Sequence, residues 1–532
     1  PESALFPYIP VDKVHESAAH TGGKTILRVL DTDRPSVWEP FNREQDDRYD
    51  LTRNLYKTVL GNKLCFEEIN QDLQLAFRCT WATSERYGFV RQCQLQELSG
   101  AAREVELLDG LQGILPAGTP SFTQATASNL VDAYKWTELC EDTGLALYAL
   151  YSGISDRAEP CESLRANTVF CLGLEPEAVL VSSEQLGAFR AGLPLLTERH
   201  KRGVRGAFFV TAHWPLPSGS SREWTIVADV EQTQAQVAAL RRALKDREAV
   251  SMEVARSMDR ADDELARIVA SADGFQATAE EAVSAHHYAN VLFNILRGGV
   301  FHEQYTISTR DLRRTIEHFN RPVYTRNRAW LDGLPEKLQV GSLLEVAGRS
   351  EDPQLERLCY EYLPITFGRR HGDPSRPWNK FSIRLKDDSG NRILSYEGNW
   401  RDIFQNWEAL ILSFPEFAEN VIARFVNAST ADGYNPYRIT KEGIDWEVDD
   451  PDNPWSYIGY WGDHQIIYLL KLLELSLQFH PDRIGRLLRK RIFSYANVPY
   501  RIRPFEALLE NPKHTVDFDR GLDDRIADRV AS

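Results

Sequence analysis

The chain contains no C-x-x-C pair, and its seven cysteines (Cys65, Cys79, Cys93, Cys140, Cys161, Cys171 and Cys359) are odd in number and scattered. A disulfide framework or a zinc site needs paired, regularly spaced thiols. These residues therefore read as reduced thiols of a cytoplasmic protein, with no metal implied. No apolar run approaches the roughly 18–20 residues of a membrane span. The opening residues carry no signal-like apolar stretch. Positive charge is in deficit: 62 Lys and Arg face 77 Asp and Glu, a formal net charge of −15. Nucleic acid or an anionic membrane surface would each call for a basic stripe, so the balance argues against both as partners. Also missing are a Gly-rich phosphate loop, G-x-S-x-G, H-E-x-x-H and a dinucleotide fingerprint, so no cofactor is expected. There is no internal repeat and no low-complexity tract.

What is present points to a large soluble fold rich in aromatics. At 532 residues the chain is too long for one core, and two large domains with a connector are expected. Acidic balance with 12 Trp, 20 Tyr and 24 Phe suits neutral polar ligands such as sugars. It suits a plain acidic surface over an aromatic core equally well.

Residues 1–230 read as β. L-Q-L-A-F-R-C-T-W sets Leu73, Leu75, Phe77, Cys79 and Trp81 on one face, the period-2 pattern of a half-buried strand. Y-G-F-V-R-Q-C-Q-L-Q-E-L repeats it, with Gln92, Gln94 and Gln96 outward. Further short strands between Gly, Pro and Ser clusters predict an antiparallel β-sandwich. Residues 231–275 are rich in Ala, Arg, Glu, Gln and Leu, and predict a helical linker. Residues 276–532 read as helices joined by long loops, notably 364–379 and 432–464, and loops of that length are often functional.

The helix predicted from Trp400 carries the strongest functional signal. At about 100° per residue, Trp400, Ile403, Phe404, Trp407, Leu410, Ile411 and Phe414 share an apolar arc. Arg401, Asp402, Gln405 and Asn406 share the opposite one. Further along, that arc carries Ala409, Leu412 and Ser413, so polarity is concentrated in the first two turns, and Pro415 ends the helix. A largely buried helix opening into a polar pocket accounts for this pattern. A buried Arg–Asp pair that only stitches helices together is the plainer alternative.

The 432–464 loop interleaves Tyr434, Asn435, Arg438, Trp446 and Trp461 with several acids. Aromatic faces edged by carboxylate, Arg and Asn hydrogen-bonding groups fit pyranose rings. A calcium loop is the rival reading, but the D-x-D-x-D-G spacing is absent. Asp463 and His464 stand before Q-I-I-Y-L-L-K-L-L-E-L-S-L-Q-F, an almost wholly apolar segment that predicts an inner, buried helix. Asp463 would also serve as an ordinary N-cap. S-A-H-H-Y-A-N-V-L-F-N-I-L-R-G-G predicts a second buried helix, in which the adjacent His286 and His287 diverge and make a poor metal pair.

Together G-N-W-R-D-I-F-Q-N, D-G-Y-N-P-Y-R-I-T and W-G-D-H resemble the cellobiose-phosphorylase type of carbohydrate enzyme, whose architecture is shared with inverting glucoamylase-like and maltose-phosphorylase-like proteins. The first segment is similar to that family's R-D-x-x-Q-D, which binds the sugar at the cleavage site. The resemblance implies an α+β multidomain chain: an N-terminal antiparallel β-sandwich, a helical linker, and an (α/α) toroid-type barrel. It implies a glycoside phosphorylase acting with inversion on a β-linked glucoside, with inorganic phosphate as co-substrate and an oligosaccharide as partner. An inverting hydrolase and a non-catalytic carbohydrate-binding fragment are the alternatives, and a homodimer fits any of them. Trp400, Arg401, Asp402, Gln405, Tyr434, Asn435, Arg438, Trp461 and His464 become expected sugar contacts, and Asp463 the best candidate for the acid within this chain. Two departures stand out. Asn406 replaces the family's second acid, and its Trp-Asn-Asp acid segment is missing, Trp378-Asn379 being followed by Lys380. A chain opening on Pro1, with a helical ring that looks short, is expected to be truncated, the missing part holding the acid and phosphate contacts.

Overall fold

A computed structural model describes residues 4–7, 17–30, 35–155, 162–366, 368–369, 387, 393–447, 452 and 465–531. The chain divides into two compact units, Pro1–Ala266 and Arg267–Ser532.

The first unit is built on two antiparallel sheets. Its strands are β1 (Gly22–Val29), β2 (Ser36–Trp38), β3 (Leu51–Lys57), β4 (Leu64–Asn70), β5 (Leu75–Ser84), β6 (Gly88–Glu97), β7 (Arg103–Ile114), β8 (Lys135–Cys140), β9 (Leu145–Leu150), β10 (Arg165–Leu172), β11 (Ala178–Leu180), β12 (His200–Arg202), β13 (Gly206–Leu216) and β14 (Ser221–Thr233). One sheet runs β11-β13-β7-β1-β2 and the other β12-β8-β9-β10-β14-β6-β5-β4-β3. Alternation along the strands decides what lies between them. Leu75, Phe77 and Cys79 of β5 and Cys93 and Leu95 of β6 join Leu27, Leu107, Phe208 and Val210 of the smaller sheet in one core.

A buried polar knot sits inside that core. The Asp109 carboxylate accepts from Thr25 Oγ1 at 2.6 Å, Trp224 Nε1 at 2.6 Å and Arg91 Nη1 at 2.7 Å. Thr25 and Asp109 belong to the smaller sheet, Arg91 and Trp224 to the larger, so the knot fixes how the sheets face one another. Such a pair is tolerated in an apolar interior because both Asp109 oxygens are hydrogen-bonded.

The stretch read as a linker is helical but is not a free connector. Helix α1 (Gln234–Ala243) begins with a capping box between Thr233 and Gln236. Helix α2 (Arg247–Ser271) follows. Val250, Val254 and Met258 of α2 pack on Val90, Phe170 and Val227, on the face of the larger sheet opposite the shared core. Helix amphipathicity and the second apolar face of the sheet satisfy each other.

The second unit is mainly helical. Helix α3 (Glu281–Gly298) runs into β15 (Val300–Phe301), and the chain returns through β18 (Ile365–Thr366), which pairs antiparallel with β15. The intervening excursion carries β16 (Thr306–Ser308), α4 (Thr309–Phe319), β17 (Lys337–Gln339), α5 (Val340–Gly348) and α6 (Pro353–Tyr360). Its entry and exit strands lie side by side. Beyond it, β19 (Gly368–Arg369) and β20 (Tyr396–Asn399) lead to α7 (Trp400–Ile411), α8 (Ala418–Asn427), the strands β21 (Arg438–Thr440) and β22 (Ile444–Asp445), α9 (Ile466–Phe479) and α10 (Arg483–Leu487). Helix α7 packs on α3 and α9, and α8 on α6 and α9.

Two helices differ from the sequence reading. Helix α9 is not buried all round: Leu472, Leu475 and Ser476 are inside, while Ile466, Ile467, Leu470 and Leu477 are 48–56% exposed. On α3 only Leu292, Ile295 and Gly298 are buried, and Phe293 and Leu296 are about half exposed. Composition reports how apolar a helix is and not how many neighbours it has. His286 is likewise exposed, and His287 Nε2 lies 2.6 Å from the Asp273 carbonyl. No helix is long and apolar enough to cross a membrane among the described residues. The six described cysteines are free.

One buried acid makes a pH-dependent contribution to the first unit. Burial pushes the Asp229 carboxyl up to about 6, against a hydrogen bond from the Val230 N–H that favours the anion. The folded state then binds the proton more tightly than the unfolded chain, with its ordinary value of 3.8. Stability falls as pH rises from the unfolded value through the folded one, and the full deficit persists above it. Asp229→Asn is expected to raise stability by on the order of 2 kcal/mol at pH 8 and to change it little at pH 4. Urea unfolding at the two pH values reads this directly.

Candidate functional site

The polar front of α7 is set by a small sheet. Strand β20 pairs antiparallel with β21, matching Glu397 with Thr440 and Asn399 with Arg438. The Trp400 N–H donates to the Tyr437 carbonyl at 2.8 Å, so the first residue of α7 is tied to the strand beside it. Arg438 stands between Asp445 and Glu397, at 2.7 and 3.2 Å, and pins β20, β21 and β22 together.

The helix itself is buried, as its apolar arc requires. Trp400, Ile403, Phe404, Trp407 and Ile411 have essentially no exposed surface. Trp400 lies between Phe404 and Phe425, so it fills the core instead of walling a pocket. Its indole N–H is buried with no hydrogen-bond partner among the described residues.

The predicted polar arc is split in two. Arg401 and Gln405, four residues apart, point toward solvent: the Arg401 side chain is 29% exposed and Gln405 is exposed. Asp402 and Asn406, the next such pair, are buried. Asn406 Nδ2 donates to the Asp402 carbonyl at 2.8 Å. Its Cβ lies 2.6 Å from where a side chain at Gly298 of α3 would begin. Asn406 is therefore a packing residue in the contact of α7 with α3. Arg401 Nε approaches the Asp402 carboxylate at 3.8 Å.

Two phenols not singled out as sugar contacts interact electrostatically with this pair. Burial raises the Tyr437 phenol, and Glu447 and Asp402 add to it while Arg438 opposes. Burial also raises the Tyr468 phenol, with Arg401 opposing and Asp402 and Glu408 adding. Both stay protonated at neutral pH, available as hydrogen-bond donors with an aromatic face. Glu447 accepts the Tyr434 hydroxyl at 2.5 Å. Tyr468 could have been found as the lone hydroxyl in the apolar run I-I-Y-L-L-K-L-L. Tyr437 and Glu447 sat unranked among many aromatics and acids.

Tyr434 and Asn435 are nearly buried and face inward. Tyr434 packs with Trp446 and Tyr500, and Asn435 Nδ2 donates to Ser429 Oγ at 2.7 Å. Trp461, Asp463 and His464 lie outside the described residues, as do most of 364–379 and 448–464. Among the described residues, no group of three His, Cys, Asp or Glu side chains could hold a metal ion.

Residues 301–364 match the model of the glycoside hydrolase family 149 insertion domain 1. The likeness is to glycoside hydrolases and phosphorylases, and it is remote. The matched segment coincides with the excursion closed by the β15–β18 ladder, so what the family model calls an insertion is a loop-out between α3 and α7 here. A microbiome protein assigned as a kojibiose phosphorylase is 8% identical with a TM-score of 0.27, covering 79% of this chain and 42% of its own. A bacterial glucoamylase in complex with acarbose is 10% identical with a TM-score of 0.32, covering 82% and 66%. A family GH92 α-mannosidase from Bacteroides thetaiotaomicron is 8% identical with a TM-score of 0.29, covering 88% and 65%. The chain thus spans between 42% and 66% of the length of these proteins. No curated protein matches it.

The contact of α3 with α7 sets where this candidate site stands. Trp407 Nε1 donates to the Gly298 carbonyl at 2.9 Å, and only a glycine lets the Asn406 Cβ come so close. Gly298→Ala is expected to lower stability by about 1–3 kcal/mol through overpacking. Denaturant unfolding of the variant measures it, and an unchanged midpoint would show that the helices can part without cost.

Proposed function

We propose that this chain is the part of a carbohydrate-active enzyme that grips a sugar, and that the enzyme cleaves a glycosidic bond with inversion. The observation that carries the reading is the Arg401–Asp402 pair at the front of a buried helix, within electrostatic reach of the phenols of Tyr437 and Tyr468. The family 149 match in the neighbouring excursion supports it. Arg401, Asp402 and Gln405 hold sugar hydroxyls, and the two phenols add donors and aromatic faces. In this reading the first unit is the β-sandwich of such enzymes and the helices of the second are part of a double ring.

Inverting cleavage needs an acid that protonates the glycosidic oxygen and a nucleophile on the opposite face of the ring. Asp463 is our assignment for the acid. Phosphorolysis of a β-linked glucoside is the favoured reaction: phosphate attacks the anomeric carbon, the protonated oxygen leaves, and a sugar 1-phosphate is released. Hydrolysis is the second reading, in which Glu447, a carboxylate that acts on the same Tyr437 phenol as Asp402 does, serves as the base on water. The setting is cytoplasmic, the partner is an oligosaccharide, and no cofactor is called for beyond phosphate.

Two measurements test this. In titrations with cello-oligosaccharides, Arg401→Ala and Asp402→Asn are each expected to weaken binding roughly 10-fold or more, as loss of a charge-assisted hydrogen bond implies. Circular dichroism confirms that the variants fold; parent-like affinity in both sinks the pocket. Incubation of the protein with the same sugars, with and without phosphate, separates the reactions. Sugar 1-phosphate formed only with phosphate supports phosphorolysis, reducing sugar formed without it supports hydrolysis, and binding without either product supports a non-catalytic fragment.

A further inference from the structure

A cleft of about 440 Å³ opens at the far end of α7. The helix has 12 residues, which places the two ends roughly 18 Å apart. Arg349 beyond α5, Tyr360 at the end of α6, Glu416 just after α7, and Arg483, Arg486 and Lys490 from α10 onward form its walls. The last two belong to a run with Arg483, Arg489 and Arg491, five cations within nine residues of a chain whose net charge is −15.

The acids around the cleft are already engaged. Glu345 pairs with Arg349 and Glu356 with Lys490. Glu419 accepts from Ser476 Oγ at 2.6 Å and from Arg483 Nη1 at 3.1 Å, while Glu416 accepts from Arg483 Nη2 at 3.0 Å. His480 lies between the two carboxylates, its ring nitrogens 3.0 Å from Glu419 and 3.3 Å from Glu416. These pairs hold the Arg483 fork in place. Arg486 is exposed on the wall with no acidic partner among the described residues, and Arg489 and Arg491 stand beyond it in the same condition.

The second observation is independent of charge. Tyr360 is only 7% exposed and lines the cleft, and its hydroxyl has no hydrogen-bond partner among the described residues. The hydroxyl opens onto the cleft and is free to donate to water or to a ligand there. Burial pushes the phenol up to about 12, so it remains a donor. The cleft thus offers an unpaired guanidinium, an ammonium with spare protons and a phenol O–H. Donors arriving from several directions suit a tetrahedral oxyanion better than a planar carboxylate.

We propose that this cleft is an anion site that takes a phosphate group, with Arg486 and Tyr360 as its main contacts. It does not rest on the sugar reading of the opposite end. Calorimetric titration with inorganic phosphate, glycerol phosphate, sulfate and acetate tests it on the whole chain. Arg486→Gln is expected to weaken phosphate binding roughly 10-fold and Tyr360→Phe several-fold, each with the parent's melting temperature. Equal affinity for inorganic phosphate and glycerol phosphate assigns the site to the phosphate group itself; tighter binding of the monoester assigns it to a phosphate ester. Phosphate binding unchanged in Arg486→Gln overturns the proposal, as does acetate binding as tightly as phosphate. Arg486 is exposed, so that variant remains informative if Tyr360→Phe fails to fold.

Discussion

The contact between Gly298 and the Asn406–Trp407 step is the constraint on which the second unit's candidate site depends. Two helices come together there with no side chain on one of them, and an indole hydrogen bond closes the gap. That approach turns Asn406 inward and, by the geometry of an α-helix, carries Asp402 inward one turn earlier. Arg401 is left at the edge. The polar front of the helix is therefore a consequence of where the apolar faces meet, and the β20–β21 pairing holds that front against Tyr437.

The β15–β18 ladder adds a second constraint. It brings the ends of a long excursion together, so the segment between them can carry its own helices without separating α3 from α7. The insertion-domain match falls on that segment, which fits an addition made at a point where the supporting helices are undisturbed. In the first unit the equivalent role belongs to Asp109, which binds partners from both sheets at once.

Much of the β unit was legible because period-2 alternation reports directly on which side of a sheet is dry. Leu75, Phe77 and Cys79 fall in the shared core as that pattern requires. The Trp400 helix was legible for a related reason, its apolar arc being broad and its polarity confined to the front. Less was legible where burial depends on the number of neighbours. The apolar α9 keeps Ile466, Ile467 and Leu470 half exposed, and no hydropathy pattern separates that from a helix surrounded on all sides. Asn406 shared an arc with Arg401 on a helical wheel, and only the partner helix decides that it faces in. Tyr434, Asn435 and Arg438, expected as sugar contacts, have partners of their own in Glu447, Ser429 and the Glu397–Asp445 pair. Residue type gives chemical capacity; direction comes from tertiary packing.

Hydrogen–deuterium exchange with and without a cello-oligosaccharide tests the central claim most directly, because it locates the sugar along the chain. The account predicts slowed exchange at the front of α7 and along β20 and β21, with the far end of α7 unchanged. Protection confined to the first unit, or none in residues 396–405 under saturating sugar, would contradict it.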